Sequence, residues 1–379
     1  MRTFLVHTHS IGGHQLEYLH HIFMEALRRT NERFIFLIPI RFNEDSNRMI
    51  WPKASHIELV VMQPEDEVPL GWGILRKGWR NSRTIRKYAS KYEATDVIVV
   101  SLMEYLPFLS FSLDRRIRVR GIVYRIYLYE WKTESFLKKC LDVLKYLLIS
   151  HHRVYDRVMI CNDTASAQYL NRLFDTEKFR YMPDPVGALP DYTGKDLRKE
   201  LGISTSDTFF LHPGSMNAYK NTLSILKALC ELDENSSVKP VVVFAGQVRE
   251  GIQEEFGRLY REAEKHARLF HIKGYLSFET LADLFHSCDY VLIPYKIKSQ
   301  SSGIVGHAAY YGKPVVAVKG GVVGKLVRKW RLGYLLEDSS AASICCFISE
   351  SLRKSPESTK GNSYYTSHSI KGFCSSILD

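Results

Sequence analysis

The stretch Asp289 to Lys325, DYVLIPYKIKSQSSGIVGHAAYYGKPVVAVKGGVVGK, gathers serine, glycine and lysine at two points where a strand should give way to a helix. Tyr290 to Pro294 suits a buried strand, Lys296 to Ser302 is polar, and Gly303 to Tyr311 has helical character. Gly312-Lys313-Pro314 ends that helix, Pro314 to Val318 reads as a second strand, and Gly320-Gly321 and Gly324 lead into another helix. A helix N-terminus presents unpaired N–H groups and partial positive charge, so two such loops side by side suit an anion such as a diphosphate. Capping and turning would account for Ser301, Ser302 or Gly321 taken singly. Two loops in succession at one sheet edge favour a ligand.

A third loop adds a cation. The strand Phe209 to His212 runs into PGSMNAYKN, residues 213–221, and a helix follows. Gly214 would let the backbone approach a ligand, and Lys220 could reach a phosphate as a mobile point charge, although a lone lysine is ordinarily a surface residue. The Walker spacing G-x-x-x-x-G-K-[ST] is absent, and Gly12-Gly13 does not complete G-x-G-x-x-G. No acid follows the second strand at the ribose position, which also argues against an ordinary dehydrogenase.

These loops need a parallel α/β scaffold. Strand-like runs fall at Phe4–His9, Phe34–Ile40, Ile57–Met62, Asp96–Ser101, Arg120–Ile126 and Tyr155–Cys161, with helical segments at His14–Arg29, Thr84–Tyr92 and Thr133–Ser150. Phe179 to Asp191 carries three prolines and reads as a linker, after which strand and helix alternate again. Residues 1–186 and 187–362 form two domains, and the tail, Tyr364 to Leu378, is predicted as one helix.

Composition bounds the class. The 379 residues are 45% hydrophobic and 25% charged, which is ordinary for a globular protein of two domains. The N-terminus enters a strand without a signal-peptide core, and no apolar run approaches the roughly 20 residues of a membrane span. The seven cysteines lack metal-ligand spacing and read as reduced core thiols, pointing to the cytoplasm. The net charge of +11 is concentrated in Arg76, Lys77, Arg80, Arg83, Arg86, Lys87 and Lys91, interspersed with Leu75, Trp79, Ile85, Tyr88 and Tyr92, and in Arg115, Arg116, Arg118 and Arg120. A basic helix bearing aromatics is compatible with an anionic membrane surface; nucleic acid and a simple solvated face are the rivals.

Together, Gly12-Gly13, Met182-Pro183-Asp184-Pro185-Val186, Gly214 to Asn221, Ala245-Gly246, Gly274-Tyr275 and the Asp289–Lys325 stretch resemble the retaining glycosyltransferases of the GT-B fold, family 4. The resemblance implies two Rossmann-like doubly wound domains facing a central cleft. The C-terminal domain would hold a nucleotide-sugar donor and the N-terminal domain a glycan or lipid-linked acceptor. Residues 363–379 would return to the first domain as a helix. It further implies donor diphosphate contacts from Gly12, Gly13, Gly214, Ser215, Lys220, Ser301, Ser302, Gly303 and Ile304, and a ribose contact from His307. Two positions depart from the family pattern: Ser215 stands where an arginine is usual, and Ser299 and His307 stand where two glutamates are usual. His307 can still accept one hydrogen bond through a neutral ring nitrogen.

No Asp-x-Asp sits at a strand end to hold a metal, so neither a metal nor another cofactor is expected, and Lys220 with the helix N-termini would meet the leaving diphosphate. His14 and Arg125 join Lys220 as catalytic candidates, with His9, Glu104 and Glu130 near them. Arg76, Lys77, Trp79, Arg80 and Arg83 mark the membrane or acceptor side, alongside the apolar run Tyr105 to Leu113. The reading is thus a cytoplasmic, peripherally membrane-associated transferase of surface polysaccharide synthesis. A nucleotide-sugar epimerase of the same fold and a catalytically weak nucleotide-binding scaffold are the alternatives, and a nucleic-acid binder ranks behind both.

Overall fold

The structure is a computed structural model and describes residues 1–9, 14–42, 49–69, 71–131, 134–187, 193–354, 357, 359 and 362–379. The chain divides into two compact units, Met1–Pro185 together with Ile370–Asp379, and Val186–Ser369.

The first unit is built on seven parallel strands: β1 (Thr3–His7), β2 (Arg33–Ile38), β3 (Ile57–Val61), β4 (Asp96–Val99), β5 (Arg118–Val123), β6 (Tyr155–Cys161) and β7 (Phe179–Met182). They lie in the order β3-β2-β1-β4-β5-β6-β7. The second unit has six: β8 (Phe209–Pro213), β9 (Val241–Ala245), β10 (Arg268–Ile272), β11 (Tyr290–Ile293), β12 (Val315–Val318) and β13 (Gly333–Leu336), in the order β10-β9-β8-β11-β12-β13. The central strands are continuous apolar runs because helices cover both faces: every residue of β1, β8, β9, β11 and β12 is buried. Both sheets reverse strand order beside their first strand, at β1/β4 and at β8/β11. Loops leaving the C-terminal ends of strands diverge there and open a crevice.

Three segments depart from the sequence-based expectation. The tail is two helices, Asn362–Ser367 in the second unit and Ile370–Leu378 in the first. The break falls where the Val186 N–H donates to the His368 carbonyl at 2.9 Å, while the His368 ring stacks on Tyr364 with centroids 3.8 Å apart. Phe373, Cys374, Ile377 and Leu378 of the last helix are buried in a core shared with Tyr18, Leu19 and Phe4. The helical segment expected at Thr84–Tyr92 is part of a longer helix, Ile74–Lys91, which takes in the whole basic run Arg76 to Lys91. Gly78 does not break it, because this position packs against backbone: a methyl group here would lie 3.2 Å from the Glu104 carbonyl oxygen.

Thirdly, Arg120 is not a surface charge. It is almost fully buried, its Nε donates to Asp156 Oδ2 at 2.9 Å, and its Nη1 donates to the carbonyls of Ile377 (2.9 Å) and Leu378 (2.5 Å). An arginine in the middle of the sheet thus satisfies the last carbonyls of the C-terminal helix.

Candidate functional site

In the second unit the candidate residues converge on the β8/β11 switch point. The loop after β8 is tied to its neighbours on both sides. Toward β9, the Gly214 N–H donates to the Ala245 carbonyl at 2.7 Å, the Met216 N–H to that of Gln247 at 2.8 Å, and the Arg249 N–H to that of Met216 at 3.0 Å. Toward β11, the Lys296 N–H donates to the Tyr219 carbonyl at 3.0 Å, and Asn221 Nδ2 donates to the carbonyls of Pro294 (3.0 Å) and Ser339 (2.7 Å). Asn221 makes these bonds from a left-handed conformation, φ 63°, which asparagine tolerates. The next helix, Thr222–Cys230, starts immediately after it.

Glycine keeps the floor of this site open. Gly214 (φ 96°) and Gly246 (φ 133°) adopt backbone conformations that side chains resist, and a methyl group at Gly246 would fall 2.3 Å from the Gly214 carbonyl oxygen. A methyl group at Gly214 would fall 2.5 Å from Lys220 Nζ. The Lys220 ammonium therefore lies over bare backbone, and it also lies 5.4 Å from the centroid of the Tyr295 ring. Below it, His212 is fully buried, with Nδ1 donating to the Leu292 carbonyl at 2.8 Å and Nε2 3.0 Å from the Thr222 hydroxyl. Burial, with a smaller contribution from the Lys220 charge, lowers the pKa of this imidazole to about 4 against the pull of the Leu292 bond.

The loop after β11 ends at Ser302, whose extended backbone precedes the helix Gly303–Tyr310 and whose side chain makes no capping bond. The leading N–H groups at Gly303 and Ile304 are thus left to another acceptor. Ser301 and Ser302 are partly and fully buried beside them. The second helix start, at Gly321, serves differently. The Val322 N–H donates to the Lys298 carbonyl at 2.9 Å, and a methyl group at Gly321 would lie 2.8 Å from Lys298 Cα. That end anchors the Ser299–Ser302 loop instead of adding an adjacent anion pocket. His307, one turn into the first helix, is half-buried with its ring 5.8 Å from that of Phe285.

In the first unit, Gly12 and Gly13 lie outside the described residues, as does the side chain of His14. The β1/β4 switch point carries a polar network. His9 Nε2 is 2.6 Å from Glu104 Oε2, and the Ser101 hydroxyl donates to Glu104 Oε1 at 3.2 Å. Ser101 also lies 3.3 Å from the Tyr124 hydroxyl, which accepts from Gln15 Nε2 at 2.6 Å, and Gln15 in turn accepts from Thr8 at 2.8 Å. Burial would raise the Glu104 pKa, but the His9 bond and charge together with the Ser101 hydroxyl outweigh it, and the carboxyl is held below its ordinary value. Arg125 is not in this network: its Nη2 donates to Glu130 Oε2 at 2.9 Å and its guanidinium lies over Tyr127.

The basic helix is partly a core element. Ile85 and Tyr88 are buried, and Lys87 Nζ pairs with Asp66 at 2.6 Å. Ile74, Leu75 and Trp79 are exposed, with the Arg83 guanidinium 4.9 Å from the Trp79 ring centroid. Arg76 stacks over Trp72, and Lys77 and Arg80 are partly exposed. The Tyr105–Leu113 run is mostly core: Tyr105, Leu106 and Leu109 are buried, and Phe111 alone among its large side chains is widely exposed. Cys140 and Cys346 are surface thiols, not core ones. Among the described residues, no helix is long and apolar enough to cross a membrane.

Sequence reasoning missed Arg249. Its Nε donates to the Ser215 hydroxyl at 2.7 Å, a contact created by the pairing of Met216 with Val248 across the two loops. No local spacing connects residues 215 and 249.

Two Rossmann-like α/β units, each with polar residues at its switch point, define the structural class. Residues 194–363 match the family model "Glycosyl transferases group 1", so the match covers most of the second unit. A lipopolysaccharide 1,2-N-acetylglucosaminetransferase of Salmonella typhimurium is 29% identical over 163 residues, 41% of this chain and 42% of that protein. The match thus spans less than half of the curated relative. Among solved structures, WaaG, a glycosyltransferase involved in lipopolysaccharide biosynthesis, aligns over 100% of both chains with a TM-score of 0.72 and 14% identity. Anabaena HepE, solved in complex with UDP, aligns over 100% of this chain and 98% of its own with a TM-score of 0.70 and 16% identity. These likenesses establish the GT-B type of fold.

Proposed function

We propose that the chain is a glycosyltransferase that moves a sugar, with retention, from a nucleotide-sugar donor to a glycan or lipid-linked acceptor in surface polysaccharide synthesis. The observation that carries this reading is the Lys220 ammonium held over the bare backbone of Gly214, with an uncapped helix start at Ser302–Ile304 following the adjacent strand β11. That combination of a cation, open glycine backbone and free N–H groups suits a diphosphate that gains charge as it leaves. The family model over residues 194–363 and the Salmonella relative support the same class. In the transfer, the bond from the anomeric carbon to the phosphate oxygen breaks as the bond to the acceptor oxygen forms on the same face. The departing phosphate oxygen takes the acceptor proton, so no metal or enzymic nucleophile is needed.

The His9–Glu104 pair supplies a hydrogen-bonding surface in the first unit for sugar or acceptor hydroxyls. The exposed Ile74, Leu75 and Trp79, set among Arg76, Lys77, Arg80 and Arg83, support peripheral docking on an anionic cytoplasmic membrane face. The test is Lys220→Ala. Turnover of the nucleotide sugar should fall far more than affinity for the nucleotide, whereas unchanged turnover would remove the assignment.

A further inference from the structure

We propose that Arg249 is a second diphosphate-binding cation, acting with Ser215 alongside Lys220; this rests on the donor-site reading above and extends it to a residue from a different loop. Lys220 Nζ lies at the position a Gly214 methyl group would touch, and Arg249 Nε is bonded to the hydroxyl of the adjacent residue, Ser215. Consecutive Cα atoms are about 3.8 Å apart, so the two cations flank a single peptide unit. That peptide unit also faces Gly246, where no side chain fits.

The arginine is placed, not loosely draped. Its backbone N–H is bonded to the Met216 carbonyl, the Met216 N–H is bonded to the Gln247 carbonyl, and its side chain is fixed at Nε by Ser215. Among the described residues no carboxylate lies within ion-pairing distance of Arg249 or of Lys220. Arg2, Arg118, Arg198 and Arg268, by contrast, each have one. Two cations without carboxylate partners, held at adjacent residues of a partly exposed glycine loop, suit a ligand carrying two adjacent negative groups.

Ser215 strengthens the arrangement. Its hydroxyl oxygen accepts from Arg249, which leaves its own proton to donate to a phosphate oxygen, and a hydroxyl polarised by a guanidinium is the better donor. With Nε engaged, the two terminal amino groups of Arg249 are the ones presented to ligand, a fork that matches phosphate oxygens. The chemical class recognised is a nucleoside diphosphate or its sugar ester, with the second phosphate as the group that requires Arg249.

The test is calorimetric titration of the intact chain with UDP, GDP and CDP, and with UMP, GMP and CMP as single-phosphate controls. Arg249→Ala should weaken the preferred nucleoside diphosphate about tenfold or more, change the matching monophosphate little, and reduce the salt dependence of binding. Arg261→Ala, which removes an exposed arginine from the helix Gln253–Ala263, should leave affinity unchanged and so excludes a general charge effect. Adding Ser215→Arg to Arg249→Ala should restore much of the lost affinity by returning a guanidinium to the same peptide. Equal diphosphate affinity in wild type and Arg249→Ala, with weakening by Lys220→Ala, would overturn the role of Arg249 and leave the donor site standing. No binding of UDP, GDP or CDP by the wild type would overturn both.

Discussion

On the proposed reading, Lys220 does more than bind. A cation that already faces the diphosphate in the ground state contributes mostly to affinity, whereas charge that develops as the sugar leaves is met only in the transition state. Losing one such preorganised group typically costs about 10²–10³ in turnover, and the Lys220→Ala variant is expected in that range. The strand-to-helix connections that carry Gly214, Ser215, Lys220, Ser301, Ser302, Gly303 and Ile304 were legible in the sequence, because apolar strand and helix patterns bound them on either side. Arg249 was not, because its contact to Ser215 exists only through the pairing of two loops, 34 residues apart in sequence. Arg125 illustrates the opposite limit. It stands at a strand end as expected, but Glu130, five residues on, takes its guanidinium.

At the scale of elements, strands read well because a parallel sheet covered on both faces needs uninterrupted apolar runs. Helix limits read less well. The basic helix Ile74–Lys91 matches the basic run Arg76 to Lys91 but starts ten residues before the Thr84–Tyr92 segment that the helical pattern picks out, and Gly78 within it packs closely against backbone. The tail shows the same limitation: a continuous helical pattern cannot reveal that Val186 captures the His368 carbonyl and splits it. Arg120 is what holds the final piece. Replacing it with methionine leaves the buried carbonyls of Ile377 and Leu378 without their donor, while Asp156, about a third exposed, keeps Arg157 beside it. Leaving a buried acceptor unsatisfied costs about 1–3 kcal/mol. Urea unfolding of Arg120→Met should show a loss of that order, with the C-terminal ten residues becoming open to proteolysis. A loss under about 1 kcal/mol would mean that the last helix is held by Phe373, Ile377 and Leu378 alone.

For the molecule as a whole, the two sheets share a device that sets acid stability. The first strand of each carries a buried histidine near its C-terminal end. His7 Nδ1 donates to the Leu37 carbonyl at 2.8 Å, and His212 Nδ1 donates to that of Leu292 at 2.8 Å. Burial, opposed by these carbonyl bonds, brings both to about 4 from an ordinary value of 6.5. Between those values the unfolded chain binds more protons than the folded one, so stability rises with pH across the window and is lost as pH falls from about 6.5 toward 4. Melting temperature should therefore fall over that interval, and His212→Asn, which keeps a donor for Leu292 without a titrating ring, should flatten the fall. An unaltered acid limb in both His212→Asn and the matching His7→Asn variant would contradict this origin.

The central claim, that the second unit holds the diphosphate of a sugar donor used for transfer, is tested most directly by incubating the purified chain with UDP-, GDP- and CDP-sugars, with and without lipid-linked glycan, and following the sugar. The account predicts that one donor class raises thermal stability by mass action and that its sugar passes, with retained anomeric configuration, to the acceptor only when acceptor is present. Conversion of the donor sugar without any acceptor would instead identify an epimerase. Donor binding with neither transfer nor hydrolysis would identify a scaffold, and either result would contradict the account.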